Sequence, residues 1–372
     1  MATSIATHPP IERALPAAWQ RQMAFTLDEV DSLEGAWRAL EVRTAYPLGF
    51  FNWMQGAMRT FAADMQPYVI AVSSDGRLRA LAPLVTARVL GIRRLMLAGV
   101  EQLHEPADLL WDDAQSLRRL TMSIARRGVP LAWERLLADS PAVAELRRAY
   151  RGRAIFIARP RPGCPFIALD ESWLEPEGHL NAGRRSDLRR ARRRGEQLGP
   201  ITTEIHAPSL KELSQRVDTA LAVEARCWKG ESGTGTALLH DPHRAAFYRR
   251  YFEAACVDGV LRICFLRIGD HVAAAQLAIE DCGGFWLLKV GYDERFAACS
   301  PGNLLMRETI RYAAEAGLRS YEFLGAAETW TRVWTTTEHE CVSLRVYPLG
   351  LRGLAALGVD LAATAYQRWM AK

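Results

Sequence analysis

The sequence predicts an α/β fold with a mixed sheet, built as two modules of the same element order. Three observations predict it. Segments with helical spacing of apolar residues alternate with segments of strand spacing along the whole chain. The order of those segments in the first half recurs in the second without recurrence of residue identity. At 372 residues the chain exceeds what one ordinary core supports.

In the first half, residues 1–20 read as an arm. Leu27–Arg43 and Phe50–Phe61 follow as helices. Tyr68–Val72 and Leu78–Val89 alternate apolar and polar positions around Ser74-Asp75-Gly76, the pattern of a hairpin. Arg94–Gly99 continues the sheet, and Asp108–Trp111 adds a short strand. A helix over Asp113–Arg127 is closed by Gly128. The strand Val129–Leu136, the helix Ser140–Tyr150 and the strand Ala154–Ala158 complete this half.

The second half opens with the strand Ile201–His206 and the helices Ser209–Lys229 and Asp241–Asp258. Leu261–Ile268 and Val272–Glu280 form a hairpin through Gly269-Asp270. The strand Phe285–Val290 then leads through a loop into a helix. Ser300 is placed to cap that helix, and Pro301 suits its first turn, where a missing N–H costs nothing. Met306, Ile310, Ala313 and Ala314 share its inward face, while Arg307, Glu308, Arg311 and Glu315 face water. Gly317 ends it and Tyr321–Leu324 starts a strand. A helix near Thr329–Trp334 and a strand near Cys341–Tyr347 follow. The last segment, Gly350–Met370, is interrupted by Arg352, Asp360 and Arg368 and reads as a docked or interfacial helix. The expected organisation is an arm over 1–20, a first domain over 21–165, a linker with an arginine-rich helix over 166–199, a second domain over 200–348 and a terminal helix over 349–372.

Composition is that of a soluble globular chain, with 49% apolar and 24% charged residues and a net charge of +5. Seven cysteines without a CxxC pair point to reduced thiols and a cytoplasmic setting. The first residues, MATSIATHPP, lack a basic stretch followed by an apolar one, so export is not expected. No apolar run is long enough to span a membrane, which leaves peripheral contact only. His240-Asp241-Pro242-His243 lacks metal-ligand spacing, so a capping role is expected there and no metal. A Gly-x-Ser-x-Gly elbow is absent.

A strand that delivers helix N-terminal amides to a cleft is suited to a phosphate or pyrophosphate. That feature, at Phe285–Gly325, is the most informative in the chain. The ordinary reading of Ser300-Pro301-Gly302-Asn303 is a simple helix start; the strand–loop–helix context favours a donor site. Only four basic residues are lysines: Lys211, Lys229, Lys289 and Lys372. Alternation puts Trp286, Leu288 and Val290 on one side of their strand and Leu287, Lys289 and Gly291 on the other. A buried ammonium requires compensation, and Glu322 on the next strand is the expected partner of Lys289. Glu224 and Trp228 lie four apart on one helical face, ahead of the loop Gly230–Thr236. With Lys229 they read equally as an exposed Glu224–Lys229 ion pair over an aromatic and as one edge of an acceptor cleft. Arg184–Arg194 holds seven arginines, ordinarily a solvated face and otherwise a surface for an acidic partner. The first half begins its matching helix at Asp112-Asp113, where negative charge repels phosphate.

Several stretches resemble a known family. They are Asp75-Gly76 with Ala82-Pro83-Leu84, Ser186-Asp187-Leu188-Arg189-Arg190, and Glu224 with Trp228-Lys229-Gly230 and Gly233-Thr234. Lys289 with Tyr292-Asp293-Glu294, and Ser300-Pro301-Gly302, complete the set. In this order, from about Ala36 to Tyr347, they resemble the GNAT acyltransferases with two tandem GNAT-like domains, as in FemAB-type aminoacyl transferases. The wording is most similar to the CelD/BcsL-type acetyltransferases of cellulose and exopolysaccharide loci. Two departures stand out. Ala297 occupies the Gln/Arg slot of the usual pyrophosphate signature, and Trp330-Thr331 stand where relatives show Tyr-Lys.

The resemblance implies an acyl-CoA co-substrate, acetyl-CoA or another, and direct attack by an amine or hydroxyl of a small-molecule or sugar acceptor. Glu322, Lys289 and Tyr292 are the candidate catalytic residues. Val290, Gly291, Ser300, Pro301, Gly302 and Asn303 are expected to hold the donor, and Glu224, Trp228, Lys229 and Trp330 the acceptor. Strand amides near Val290–Tyr292 would polarise the acyl carbonyl. Nucleic acid is expected only under an alternative, a FemAB-like transferase using aminoacyl-tRNA. A second alternative is a catalytically silent scaffold of a polysaccharide machinery.

Overall fold

The computed structural model describes residues 19–44, 46–227, 229–230 and 234–370. The first half contains β1 (Trp19–Ala24), β2 (Gln66–Pro67), β3 (Val69–Ser74), β4 (Arg77–Ala82), β5 (Leu84–Val89), β6 (Ile92–Leu97), β7 (Leu110–Trp111) and β8 (Leu131–Leu137). Its helices are α1 (Leu27–Asp31), α2 (Glu34–Glu41), α3 (Phe51–Thr60), α4 (Val100–Leu103), α5 (Ala114–Ala125) and α6 (Pro141–Ala149). The second half contains β9 (Ala154–Ala168), β10 (Ile201–His206), β11 (Leu261–Ile268), β12 (His271–Asp281), β13 (Gly284–Tyr292), β14 (Ser320–Glu322) and β15 (Glu338–Pro348). Its helices are α7 (Ala182–Leu198), α8 (Leu210–Ala225), α9 (Pro242–Val257), α10 (Pro301–Glu315) and α11 (Leu351–Met370).

Two sheets form. One has the order β1-β3-β4-β7; the other runs through both halves in the order β10-β11-β12-β13-β14-β9-β15-β8-β6-β5-β2. The predicted hairpin turn is present, with Asp75 and Gly76 both at positive φ, as a two-residue turn between twisted strands requires. Pro83 divides the single strand expected over Leu78–Val89 into β4 and β5, which join different sheets. The arm is shorter than expected at its described end, because Trp19 and Gln20 already pair with Ser74 and Ser73.

The join between the halves differs most from the expectation. β9 does not stop at Ala158. Its residues 154–165 pair with β15, and Phe166–Ala168 pair with β14. The prolines at 160 and 162 are tolerated because that stretch of β9 has a strand neighbour on one side only. β15, expected to finish the second half, pairs instead with β8 and β9. The 166–199 segment is thus part strand and part helix rather than a free linker. The helix expected near Thr329–Trp334 is a single 3-10 turn, Thr331–Val333.

Two cores flank the second half of the large sheet. One lies under α10 and contains Phe285, Leu287, Leu305, Ile310 and Tyr321. The other continues from the first half into α8 and α9 and contains Trp53, Phe247, Tyr251, Leu277 and Trp286. Trp53 of α3 packs edge-on against Phe247 and Tyr251 of α9, at 4.9 and 4.8 Å between ring centroids. The halves therefore share one core. The final helix α11 docks through Asp360, which accepts from both Arg94 Nη atoms at 2.7 and 2.6 Å and from the Tyr347 hydroxyl at 2.6 Å. No helix among the described residues is long and apolar enough to cross a membrane.

Candidate active site

Strand splay creates the cleft. β13 pairs with β12 along its length, but with β14 only at Gly284↔Ser320, Phe285↔Tyr321 and Trp286↔Glu322. After Glu322 the chain turns away, and Phe323 N–H donates to the Pro165 carbonyl. The edge of β13 beyond Trp286 is left without a strand neighbour on that side, with peptide groups open to a ligand. A cleft of about 540 Å³ opens there. Its walls are Val290, Gly291 and Tyr292 of β13, Ser300–Asn303 and Met306 at the start of α10, Glu328–Trp330 opposite, and Lys229 and Ala297 at the rims. The six residues expected to hold the donor thus come together, with Tyr292, Lys229 and Trp330 beside them.

The start of α10 differs from expectation in one respect. Ser300 does not cap with its side chain; it sits in the left-handed region at φ 43°, ψ 50° and makes no side-chain cap bond. The preceding 3-10 turn, Glu294–Cys299, forces the reversal at Ser300, whose N–H donates to Ala297. The Ser300 carbonyl accepts from Asn303 and Leu304, at 3.1 and 3.2 Å. Pro301 has no N–H, so the Gly302 amide is left without a backbone acceptor among the described residues. A Cβ on Gly302 would meet only Tyr292 Cδ1, at 3.7 Å, which is ordinary contact.

Asp293 anchors the loop. It is 1% exposed and is held down to about 2 by Arg295, against the desolvation of burial and with further help from Arg226. Cys227 and Cys299 do not line the cleft, and burial raises both thiols, which keeps them protonated.

The rim expected to hold the acceptor is braced rather than exposed. α8 ends at Ala225, before the expected Lys229. Glu224 Oε2 accepts from the Leu238 N–H at 3.1 Å, and its Oε1 lies 3.5 Å from Lys229 Nζ. Lys229 Nζ also donates to the Val290 carbonyl at 2.9 Å. Side-chain exposures of 5% for Glu224 and 20% for Lys229 correct the reading of an exposed pair. Trp228 lies outside the described residues. At the same place α8 presses onto β13: a Cβ on Gly291 would fall 2.6 Å from Glu224 Cα.

Lys289 and Glu322 are not partners. β14 pairs with β13 only as far as Trp286↔Glu322, three residues short of Lys289, and a bulge between Leu277 and Ala278 of β12 breaks the alternation at Leu287–Lys289. Lys289 is paired with Leu277 and faces the α8–α9 side, where its Nζ lies 4.5 Å from the Tyr248 ring centroid. Burial lowers its pKa, with Glu105 and Glu224 opposing. Glu322 lies opposite Trp286, and neither Glu322 nor Lys289 lines the cleft. The Glu322 carboxylate instead meets His339 Nε2 at 3.1 Å, and the His339 ring stacks on Phe166 at 3.8 Å. His339 is 34% exposed and Glu322 7%, so the imidazole is the accessible half of the pair.

The hydrogen bond that the His339 imidazolium donates to Glu322 raises the His339 pKa. A raised histidine stabilises the fold fully below its unfolded value of about 6.5, and loses that contribution as pH rises through the folded value. Glu322→Gln is therefore expected to cost more stability near pH 5.5 than near pH 8.5, by about 1 kcal/mol at most for a partly exposed pair. Urea midpoints of both proteins at the two pH values check this; an identical difference at both refutes the linkage.

Sequence reasoning missed the part played by the first half. Glu105 Oε2 accepts from the Gly325 N–H at 3.1 Å, and Arg135 Nη2 donates to the Gly325 carbonyl. Leu324 and Gly325 both have positive φ, 56° and 50°. These two first-half side chains thus hold the corner that carries Glu328, Thr329 and Trp330 to the cleft. No local pattern announced them, because the contact spans 190 residues or more. Among the described residues, no group of three or more His, Cys, Asp or Glu side chains is placed to hold a metal ion.

Residues 182–332 match the acetyltransferase (GNAT) domain family. The fold is a mixed α/β one, and this match falls in its second half. FemX is similar in structure, with a TM-score of 0.55 and 12% identity over 89% of this chain and 97% of its own. So is the C-terminal domain of a protein described as a lysylphosphatidylglycerol synthetase from Agrobacterium fabrum, with a TM-score of 0.51 and 11% identity over 88% and 95% of the two chains. A conserved protein of unknown function from Bacteroides thetaiotaomicron has a TM-score of 0.51 and 12% identity over 87% and 99%. At these identities the likeness is one of fold. No curated protein matches the chain by sequence. The GNAT match takes in α7 through the 3-10 turn at Thr331–Val333, and with them every residue of the cleft.

Proposed function

We propose that the protein is an acyltransferase that moves an acetyl or other acyl group from acyl-CoA to an amine or hydroxyl. The acceptor is a small molecule or a sugar precursor of a polysaccharide. The observation that carries this is the cleft itself: a free helix N-terminal amide at Gly302 faces the unpaired edge of β13 across about 540 Å³. The helix end and its dipole suit the donor pyrophosphate. The β13 edge at Val290–Tyr292 suits the thioester, whose carbonyl oxygen gains negative charge as the acceptor attacks. Ser300, Pro301 and Asn303 shape the turn around that amide, and Trp330 closes the opposite wall.

In this reading the acceptor nitrogen or oxygen attacks the thioester carbon directly, with no covalent enzyme intermediate. Neither Glu322 nor His339 lines the cleft, so the pair has a supporting role and the acceptor proton leaves to solvent water. His339 is the accessible group, and Glu322 orients it and supports its charge. Tyr292, in the cleft and kept protonated by burial, supplies a proton to the departing thiolate. Lys289 holds the α8–α9 side in place through Tyr248 rather than acting on substrate. Lys229 and Glu224 set the acceptor rim.

A second reading keeps weight because Ala297 occupies the signature slot at the rim of the cleft. The resemblance to FemAB-type transferases then implies aminoacyl-tRNA as donor. Thermal-shift measurements with acetyl-CoA, free coenzyme A and tRNA separate the readings, since a ligand at one hundred times its Kd stabilises by about 2.7 kcal/mol. A rise with the two coenzyme A ligands and none with tRNA is expected. A rise with tRNA alone transfers the assignment to the second reading, and no rise with any of the three favours a silent scaffold.

A further inference from the structure

The arginine helix α7 is not absorbed by the cleft chemistry. Several of its arginines are structural. Arg184 donates to the Arg332 and Val333 carbonyls at 2.9 and 3.1 Å, and Arg194 donates to the Ala298 carbonyl at 3.2 Å. Arg332 follows one wall of the cleft and Ala298 precedes the other, so α7 reaches from rim to rim. Between α7 and α10 lies a groove of about 230 Å³ whose charged lining is Arg185, Arg189, Arg192, Arg307 and one carboxylate, Glu177. Arg307 is 15% exposed and pairs with Glu177 and Glu308. Arg192 pairs with Glu196 at 2.9 Å, and Arg189 has no ion pair among the described residues. Glu177 and Glu308 answer Arg307 and Glu196 answers Arg192, so the positive charge of the groove comes from Arg185 and Arg189, and a solvated helix face does not require such a concavity.

The groove and the cleft share α10. Gly302 lines one and Arg307 the other, about 7.5 Å apart along the helix at 1.5 Å per residue. We propose that the groove is a phosphate-monoester subsite, and that it takes the phosphate on the nucleotide end of the donor whose pyrophosphate sits at Gly302. This rests on the acyl-CoA reading above. Guanidinium forks match phosphate oxygens two at a time. No aromatic side chain lines the groove, so it offers a base no stacking surface and recognises the phosphate itself.

The test titrates the full chain with acetyl-CoA and with acetyl-dephospho-CoA, which lacks the 3′-phosphate. Wild type is compared with Arg189→Ala/Arg192→Ala, neither residue lining the cleft. Wild type is expected to bind acetyl-CoA roughly tenfold more tightly than the dephospho form, a preference that shrinks as salt is raised. The double variant is expected to bind both donors with the wild-type dephospho affinity and an unchanged unfolding midpoint. Equal binding of the two donors by wild type overturns the groove and leaves the donor cleft standing, as does a preference that survives in the variant. If neither donor binds wild type, the donor reading falls and the groove with it. In that case tRNA binding lost in the double variant reassigns the arginines to nucleic acid.

Discussion

Gly302→Val is expected to leave the fold intact and to weaken acyl-CoA binding roughly tenfold or more. The reason is specific to the place. A Cβ at 302 meets only Tyr292 Cδ1 at 3.7 Å, so the protein accommodates the first added atom. The valine methyl groups then stand beside the Gly302 amide, which has no backbone acceptor among the described residues and where the proposed donor would place its pyrophosphate. Ser300→Ala is the contrasting control. Its side chain makes no cap bond and the backbone carries the site, so it is expected to change donor affinity little. Calorimetric titration with acetyl-CoA, beside a thermal melt, reads both. Unchanged acyl-CoA affinity in a folded Gly302→Val protein removes the donor from this helix start.

Gly291→Ala has a large effect by the opposite route. Its Cβ falls 2.6 Å from Glu224 Cα and 3.1 Å from Glu224 N, so the end of α8 must move away from β13. Overpacking of this kind costs about 1–3 kcal/mol. The displacement also strains the brace from Glu224 through Lys229 to the Val290 carbonyl. Stability and donor affinity are therefore expected to fall together, in contrast to Gly302→Val. Urea unfolding and the same titration check this. A variant with the wild-type midpoint and wild-type affinity shows that α8 does not press on β13 at this position.

Most of the elements were legible because their signals are local. β10 occupies the predicted Ile201–His206, and β11 the predicted Leu261–Ile268. The walls of the cleft were legible too, since Val290–Tyr292 and Ser300–Asn303 belong to one strand–loop–helix unit. What failed depended on partners distant in sequence. The bulge opposite Leu287–Lys289 turned Lys289 to the other face, because strand alternation holds only while pairing is regular. The left-handed Ser300 followed from the 3-10 turn before it, which no N-cap preference encodes. Nothing in the sequence singled out His339, which precedes the strand expected near Cys341–Tyr347; the pairing of β14 and β15 with β9 brought Glu322 to it.

By itself the sequence determined an α/β chain of two like modules, with a helix start in the second suited to a phosphate-bearing donor. Hydrophobic period, turn residues and glycine stops carry that information within a few residues of where they act. Tertiary structure alone decided that β15 crosses into the sheet of the first half and that Glu105 and Arg135 fix the corner at Gly325. It also decided that Glu322 serves His339 rather than Lys289. These outcomes depend on strand order and register. Both are set by which long-range pairings bury the most apolar surface with every backbone group satisfied, a condition on the whole chain that no local segment contains.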